Sequence, residues 1–478
     1  MSVPGSAIQL VPADQWRSTC EGLVDEGGRF LALYAVRENE DVAVRAAFDG
    51  PQGPTLISCT TESGVAESIV PVIPAAGWDE REAHDAYGVD FEGHRPLRAL
   101  LAHPDDLSEW VVPVHGHDPY QVAVGPIHAG VIESGHFRFR VVGESILHVD
   151  LRLFYKHRGL ERAAEGRPLS TGIAFAQRAC AACAVSNSVA YAQAVESLQG
   201  YRPSPRLARV RTLLLELERL YNHLNDIGAA CAGIGFAPGN MAFSALKERV
   251  HRLNQALSGH RFLFETIAVS RSPATIDRAA AAEARAEVET IAEDARRAWR
   301  EVLFNASVQD RFLGVGRLSL DDALRLGTVG PAARASGLRR DARSDAPGLE
   351  YPGFEPASLR HSDGDVAARV NLRALEVDAT VALLHELLAR PAVPLAEPSA
   401  EAALEIAPGR AGIGVVESPR GETVCVLEAA EGLLTRMHLR TGSYANWPSL
   451  AHAAAGNLLP DFPLINKSFE LCYSCSDR

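Results

Sequence analysis

The pattern of hydrophobic and polar positions predicts that the chain begins with strands. Alternating apolar and polar residues predict two neighbouring strands, FLALYAVREN (30–39) and EDVAVRAAFD (40–49), joined by a tight turn. The pattern also predicts a strand in ESIVPVIP (67–74), ended by proline, and a short helix that begins near Trp78. Residues 1–112 are therefore predicted to form a small α/β domain.

The remainder of the chain is predicted to form a larger domain, residues 123–478, after a linker at 113–122. Strand-like sequence continues from Ala123 to about residue 160, and a helical pattern follows. Apolar residues recur at three- and four-residue spacing between Pro205 and Gly228, which predicts one long helix with an apolar stripe.

Further helices are predicted at about 276–306 and 363–390, with loops and short pieces between them at 310–362. Strand-like sequence returns in GIGVVESPRGETVCVLEAA, close to the end of the chain. The predicted fold class is α+β, in which a mainly helical large domain carries short sheets at its start and its end.

Composition excludes several classes of protein. The 478 residues are 47% hydrophobic and 22% charged, which is ordinary globular usage rather than a disordered or fibrous composition. The net charge of −13 argues against a nucleic-acid partner. The apolar segment from Ile173 to Val189 is interrupted by Arg178, and no segment approaches the roughly 18 residues of a membrane span. We expect a cytoplasmic protein, in which thiols stay reduced.

Two CxxC pairs are the residues that most directly suggest chemistry. Cys180 and Cys183 form the first pair, and Cys472 and Cys475 form the second, near opposite ends of the large domain. Two residues between cysteines allow both sulfurs to face one ion, and four soft thiolates select zinc, iron–sulfur or another thiophilic metal such as nickel. The sequence therefore predicts one metal centre that ties the two ends of the domain together.

The segments RACAACAVSNSVAYAQAVE and SFELCYSCSDR resemble the paired nickel-ligand motifs of nickel–iron hydrogenase large subunits, RxCGxCxxxH and DPCxxC. The rest of the chain is similar to the membrane-associated group 4 hydrogenases of the formate hydrogenlyase type, which are related to the 49-kDa subunit of respiratory complex I. WDEREAHDAYGVDFEGHRPLRALL (78–101) resembles the end of the complex I 30-kDa subunit, which is fused to the N-terminus in this group. Other segments with counterparts there are GPIHAGVIESGHFRF, LFYKHRGLE, LERLYNHLNDIGA, GVGRLSL, GPAARASGLRRDAR and DGDVAARV.

The resemblance implies a nickel–iron centre. Cys180 and Cys472 would be terminal nickel ligands, while Cys183 and Cys475 would bridge nickel to an iron that carries CO and cyanide. Hydrogen would then be cleaved heterolytically or formed from protons.

The resemblance also assigns residues around the centre. Arg420 would lie over the open metal position, and Glu133 matches the family's proton-gate glutamate. A guanidinium is normally always protonated, so orientation and polarisation suit Arg420 better than the role of a base. Glu161 and His223 also match family positions, and for both we expect a structural role.

Three positions depart from the family motifs. Asn187 replaces the motif histidine, so that a shorter neutral amide stands beside the metal site. Glu470 and Leu471 replace the usual Asp–Pro, which places a catalytic-site carboxylate one methylene further from the backbone. Ala181 replaces a glycine.

A second interpretation is a metal-free, complex-I-like subunit with a quinone-site or structural role, and a scaffold with degenerate chemistry is a third. Aligned with the complex I subunit, Glu133 stands where its quinone-binding histidine would be, and Ala181 where its tyrosine would be. These substitutions and the four retained cysteines favour the hydrogenase.

The partners implied by the hydrogenase resemblance are a small subunit with a [4Fe–4S] cluster, ferredoxin-like subunits, membrane antiporter-like subunits and maturation proteins. Residues 1–112 would be a docking module. The chain itself would lie on the inner face of the cell membrane through its complex.

Overall fold

The computed structural model describes residues 5–51, 53–61, 63–102, 104, 111–114, 119–128, 133–274, 276–345, 348–359, 361–389 and 409–478. Part of the predicted linker, residues 115–118, lies outside the described residues.

Strands lie at the beginning of the chain, before the helical region and near its end. They are β1 (Ser6–Leu10), β2 (Arg29–Glu38), β3 (Asp41–Gly50), β4 (Gly53–Thr60), β5 (Val65–Glu67), β6 (Asp90–Glu92), β7 (Tyr120–Val124), β8 (His136–Val142), β9 (Ser145–Arg152), β10 (Arg410–Ser418), β11 (Gly421–Ala430) and β12 (Leu433–Arg440).

Helices dominate the middle of the chain. They are α1 (Trp16–Asp25), α2 (Gly77–Tyr87), α3 (Leu160–Ala164), α4 (Leu169–Arg178), α5 (Ala184–Gln199), α6 (Pro205–Gly233), α7 (Ala237–Ser258), α8 (Arg278–Leu303), α9 (Ala306–Phe312), α10 (Leu320–Arg325), α11 (Gly330–Ala335), α12 (Ala342–Asp345), α13 (Val366–Ala389), α14 (Gly442–Ala454) and α15 (Phe462–Phe469).

One seven-stranded sheet joins the two ends of the chain, in the order β12-β11-β10-β1-β4-β3-β2. Strand β1 pairs antiparallel with β10 and parallel with β4, so it connects the N-terminal strands to the C-terminal ones. Buried side chains from both groups, including Tyr34, Leu56, Ile413 and Val426, share one apolar cluster. The N-terminal region is therefore packed into the fold of the large domain.

Two glycines in β10 allow α5 to lie unusually close to this sheet. A Cβ atom at Gly412 would come within 1.9 Å of the Ala194 carbonyl oxygen, and one at Gly414 within 2.0 Å of the Ala190 carbonyl oxygen. Only glycine permits such an approach of backbone to backbone. The middle of α5 is consequently held against the sheet, and the helix begins directly after Cys183.

Helix α6 passes through the centre of the helical region and is buried along nearly its whole length. Its apolar residues pack with those of α7, α8, α13 and α15 in the main hydrophobic core. Several charged residues of α6 are also buried, and most of them are paired with an opposite charge. Examples are Arg211 with Glu196, and Arg219 with Glu216.

The structure confirms the α+β class and the predicted long helices, but the strand predicted in ESIVPVIP is wrong. Strand β5 ends at Glu67, and the next residues turn back, with the N–H groups of Val72 and Ile73 donating to the Ile69 carbonyl oxygen. Glu80 of α2 accepts hydrogen bonds from the Ser68 hydroxyl and the Ile69 N–H. The side chain of a neighbouring helix therefore replaces the sheet partner that a strand would need.

Strand β7 begins at Tyr120, inside the segment predicted as a linker. The domain boundaries at 112 and 123 stay predictions. Strand β1 from the N-terminal region and β10 from the C-terminal region belong to one sheet, so this sheet does not separate the two predicted domains. Among the described helices, none combines the length and the apolarity that a membrane crossing requires.

Candidate metal centre

The two cysteine pairs lie on short segments beside helix ends. Cys180 follows α4, and a 3-10 turn at Ala181–Cys183 leads directly into α5. The second pair follows α15, and Glu470, the residue directly after this helix, has the left-handed conformation, with φ 48°. This reversal turns the chain back toward the start of α5, so both segments meet at one place.

The four sulfur atoms converge. The Sγ atoms of Cys180 and Cys472 are 3.3 Å apart, and the sulfurs of Cys180, Cys472 and Cys475 all lie within 4.8 Å of one another. Cys183 belongs to the same buried cluster. All four are free thiols. The structure thus brings together the residues that the sequence predicted as metal ligands.

The protons of this cluster are distributed unequally. Hydrogen bonds from the thiols of Cys180 and Cys475 lower the pKa of Cys183 to about 6. The hydrogen bonds that Cys475 makes with the other three cysteines, together with burial, raise its own pKa well above the ordinary range. One thiolate is therefore already favoured near neutral pH, and thiolates are the form that binds metals.

Helix α6 holds the first cysteine segment through three side chains. Glu218 accepts hydrogen bonds from the N–H groups of Val185 and Ser186 and from the Ser186 hydroxyl. Tyr221 and Asn222 both donate to the Ala182 carbonyl oxygen, at 3.2 and 2.8 Å. These contacts satisfy backbone groups that have no hydrogen-bond partner within α5, and they fix the position of Cys183.

Glu218 is expected to make stability depend on pH. Burial raises its pKa from the ordinary 4.5 to about 7. Between these values the folded protein holds a proton that the unfolded chain has lost, so stability falls as pH rises through this range. At about 1.4 kcal/mol per pKa unit, the loss is on the order of 3 kcal/mol.

Urea unfolding of the metal-free chain at pH 5 and pH 8, compared with a Glu218→Gln variant, measures this dependence. Glutamine keeps the shape of the side chain but does not titrate, so the variant should lose less stability between the two pH values. An equal loss in both proteins would refute the assignment.

A cavity of about 470 Å³ opens beside the sulfur cluster. Cys472, Arg420, Glu133 and Glu470 all line it, so the three residues predicted as catalytic share one cavity with one of the cysteines. Aromatic and polar side chains complete the wall, among them His128, Phe137, Tyr221, Asn225, Lys247, His251, Phe262 and Tyr473.

Arg420 lies in the turn between β10 and β11 and is buried. Its guanidinium donates to Asp226 at 2.9 Å, and Arg373 donates to the same carboxylate oxygen at 2.9 Å. Burial alone would lower the pKa of Arg420, but Asp226 and the nearby Cys183 raise it above its usual value. Arg420 is therefore a permanent cation in the cavity wall. Its Nε–H has no hydrogen-bond partner among the described atoms.

Two carboxylates face the same space. Glu133 accepts a short hydrogen bond from the hydroxyl of Ser474, which lies between the two C-terminal cysteines. Glu470 accepts from the Asn225 amide at 3.4 Å and lies 3.6 Å from the Lys467 ammonium. Burial raises the pKa of Glu470 above its ordinary value.

Asn187 is completely buried in the first turn of α5. Neither its amide nitrogen nor its amide oxygen has a hydrogen-bond partner among the described residues. A buried amide without partners is costly, and an ordered water, an ion or a bound group can supply the missing partner.

Glu161 and His223 belong to ion pairs away from the cavity wall. Glu161 accepts from Arg478 at 2.7 Å and from Arg436 at 3.0 Å. His223 lies 2.7 Å from Glu376. These contacts agree with the structural roles expected for both residues.

Glu218, Asp226 and Arg158 contact the cysteine segments or Arg420, and none of the three was predicted from the sequence as a site residue. A signal existed for the first two: both are acidic residues within the apolar run of α6, where a helix core rarely keeps an unpaired charge.

Sequence profiles of two families match the chain. The profile of the respiratory-chain NADH dehydrogenase 49 Kd subunit matches residues 234–405 and 401–478, and that of the 30 Kd subunit matches residues 9–120. Together they reproduce the fused order expected from the sequence.

Individual relatives point to hydrogenases and respiratory complexes. Formate hydrogenlyase subunit 5 of Escherichia coli is 33% identical, over 86% of this chain and 76% of the relative. Hydrogenase-4 component G of the same organism is 31% identical, over 86% of this chain and 75% of the relative. A solved chain of the archaeal membrane-bound sulfane sulfur reductase has a TM-score of 0.70 and 25% identity, covering 76% of this chain and 99% of that one.

With this match in sequence, domain order and fold, the chain belongs to the formate hydrogenlyase type of hydrogenase large subunit, in which a region like the complex I 30-kDa subunit precedes one like the 49-kDa subunit.

Proposed function

We propose that the chain is the catalytic large subunit of a membrane-associated nickel–iron hydrogenase, which cleaves H2 heterolytically or reduces protons. The observation that carries this proposal is the convergence of four free thiols from two distant CxxC segments beside a cavity lined by Arg420. A dehydrogenase subunit that handles only quinone has no use for such a cluster.

The donor set fits a nickel–iron centre. Four soft sulfur ligands suit nickel and iron, and the unpartnered amide of Asn187 offers a donor one turn beyond Cys183. Cys180, Cys183, Cys472 and Cys475 would hold this centre, which would consist of nickel and an iron carrying CO and cyanide. When bound, this centre supplies the heterolytic activation of H2.

Arg420 orients and polarises in this proposal and does not act as a base. Its charge is fixed, because Asp226 and the thiolate of Cys183 both stabilise the protonated form. Asp226 and the turn between β10 and β11 hold the side chain against the cavity wall. Such a preorganised cation stabilises negative charge that develops during H2 cleavage.

Glu133 and Glu470 are the proposed proton carriers. Both are carboxylates on the cavity wall, and burial favours the protonated form of Glu470. A proton on Glu133 is placed beside Ser474, and one on Glu470 beside Asn225. Each can therefore hold a proton within the cavity that Cys472 also lines, as general acid–base chemistry requires.

A metal-free quinone-site subunit is the second candidate, favoured by the match to the 49 Kd subunit profile. Against it, the sequence resemblance would place Glu133 and Ala181 at the positions of the quinone-binding histidine and tyrosine of the complex I subunit. The proposed partners are an iron–sulfur small subunit, ferredoxin-like subunits and membrane subunits, which would hold the chain on the inner face of the membrane.

Nickel content decides between the two candidates. The complex isolated from its native host, with its maturation proteins present, is expected to contain about one nickel per chain, because four thiolates form one site. Metal analysis measures the nickel, and infrared absorption by iron-bound CO and cyanide should accompany it. A complex that carries its iron–sulfur clusters but neither nickel nor these bands would establish the quinone or scaffold alternative.

A further inference from the structure

Arg158 connects the two cysteine segments, although it lies outside both CxxC motifs. It lies between β9 and α3. Its guanidinium donates to the carbonyl oxygens of Arg178 at 2.8 Å, Ala179 at 2.7 Å and Ser474 at 3.0 Å. Its backbone N–H donates to the Asp477 carbonyl oxygen at 2.9 Å.

Two of these carbonyl groups belong to the peptide bonds that enter a cysteine. The Ala179 carbonyl precedes Cys180, and the Ser474 carbonyl precedes Cys475. Because a peptide unit is planar, fixing its carbonyl oxygen also fixes the direction in which the next residue leaves. One terminal nitrogen of Arg158 contacts both oxygens, so it holds the peptide units before Cys180 and Cys475 close to each other.

The geometry requires an arginine. A guanidinium presents several N–H groups in a rigid plane, so it can contact separate carbonyl groups without bending. A lysine ammonium is a point charge on a flexible stem and cannot reproduce the fork. Glu161 lies in the same HRGLE segment but has different partners, because its carboxylate accepts from Arg478 and Arg436.

We propose that Arg158 is a positioning residue that sets the spacing of the two thiol pairs before the metal binds. The inference rests on the proposed function, since it assumes that the four thiols form one metal site. Arg158 would then influence metal affinity although it is neither a proposed ligand nor part of the cavity wall.

Cobalt(II) titration of the metal-free full chain tests this role, because cobalt bound to thiolates gives charge-transfer absorption that depends on ligand geometry. We expect Arg158→Gln and Arg158→Lys to bind cobalt about 10- to 100-fold more weakly than the unchanged chain, as is typical when a group that orients metal ligands is lost. Their absorption spectra should also change. Arg162→Gln is the matched control, because Arg162 is an exposed arginine four residues later.

The outcomes are distinguishable. Weaker cobalt binding with an altered spectrum and an unchanged unfolding midpoint supports the positioning role. Unchanged affinity in both Arg158 variants overturns it. An equal loss in Arg162→Gln, or a loss in both Arg158 variants that follows a lowered unfolding midpoint, assigns the effect to folding and also overturns it. If the unchanged chain gives no cobalt–thiolate absorption, the four-thiol site and the proposed function fail with it.

Discussion

A Cys475→Ser chain isolated from its native host is expected to contain no nickel. Cys475 is fully buried, and its sulfur lies within 4.8 Å of those of Cys180 and Cys472. Serine has nearly the same shape, but its hydroxyl oxygen is a hard donor that stays protonated, whereas nickel and iron in such a site require soft thiolates. Loss of one of the four proposed ligands should therefore prevent the centre from being held. Metal analysis of the purified complex measures the effect.

Cys425→Ser is the matched control for this experiment. Cys425 is also fully buried, but it lies in β11 and outside the sulfur cluster. Its replacement places a hydroxyl group in an apolar strand environment and should lower stability while leaving nickel bound in the folded protein. Nickel retained by Cys475→Ser, or lost equally from both variants, would refute the ligand assignment.

The sequence predicted the members of the site because chemistry restricts which residues can form it. Two CxxC pairs in one domain indicate a shared ion, and Cys180 and Cys472 are indeed in contact. The family resemblance placed Arg420 and Glu133, and both line the cavity. Which catalytic role each has stays a proposal, because position alone does not establish a role.

The contacts that support the site could not be predicted in the same way. Glu218 and Asp226 lie in a helix whose apolar stripe was clear, yet their partners come from α5 and from the turn before β11. Arg158 acts on carbonyl oxygens, which every residue carries, so no sequence pattern indicates its targets. Long-range backbone contacts of this kind depend on the completed fold.

Sheet topology shows the same limit. The strands β2, β3, β10 and β11 were visible as alternating sequence, but the pairing of β1 with β10 joins residues about 400 positions apart. Local periodicity predicts that a strand forms and says nothing about its neighbour. The failed strand at ESIVPVIP has a related cause, since Glu80 accepts hydrogen bonds from that segment and lies in a helix.

Arg420→Lys is expected to lower the hydrogen-cleavage rate by about 10²- to 10³-fold, the usual effect of removing one preorganised donor from a reaction site. Nickel content should stay unchanged, because Arg420 is not among the proposed ligands. The Arg420 guanidinium contacts Asp226 through one nitrogen and keeps its Nε–H without a partner among the described atoms. Lysine keeps the positive charge but has no such planar group. The kcat for H2 oxidation, measured with an artificial electron acceptor and corrected for nickel, reports the loss.

Arg211→Lys separates this effect from a general loss of packing. Arg211 is also buried and forms two hydrogen bonds with one carboxylate, that of Glu196, but it does not line the cavity. Both substitutions replace a buried arginine that is paired with a carboxylate, so both should lower stability. Only Arg420→Lys should lower the rate per nickel, because only Arg420 lies beside the sulfur cluster. If the two variants lose rate equally, the cation of Arg420 contributes through folding alone, and its assignment to the reaction is wrong.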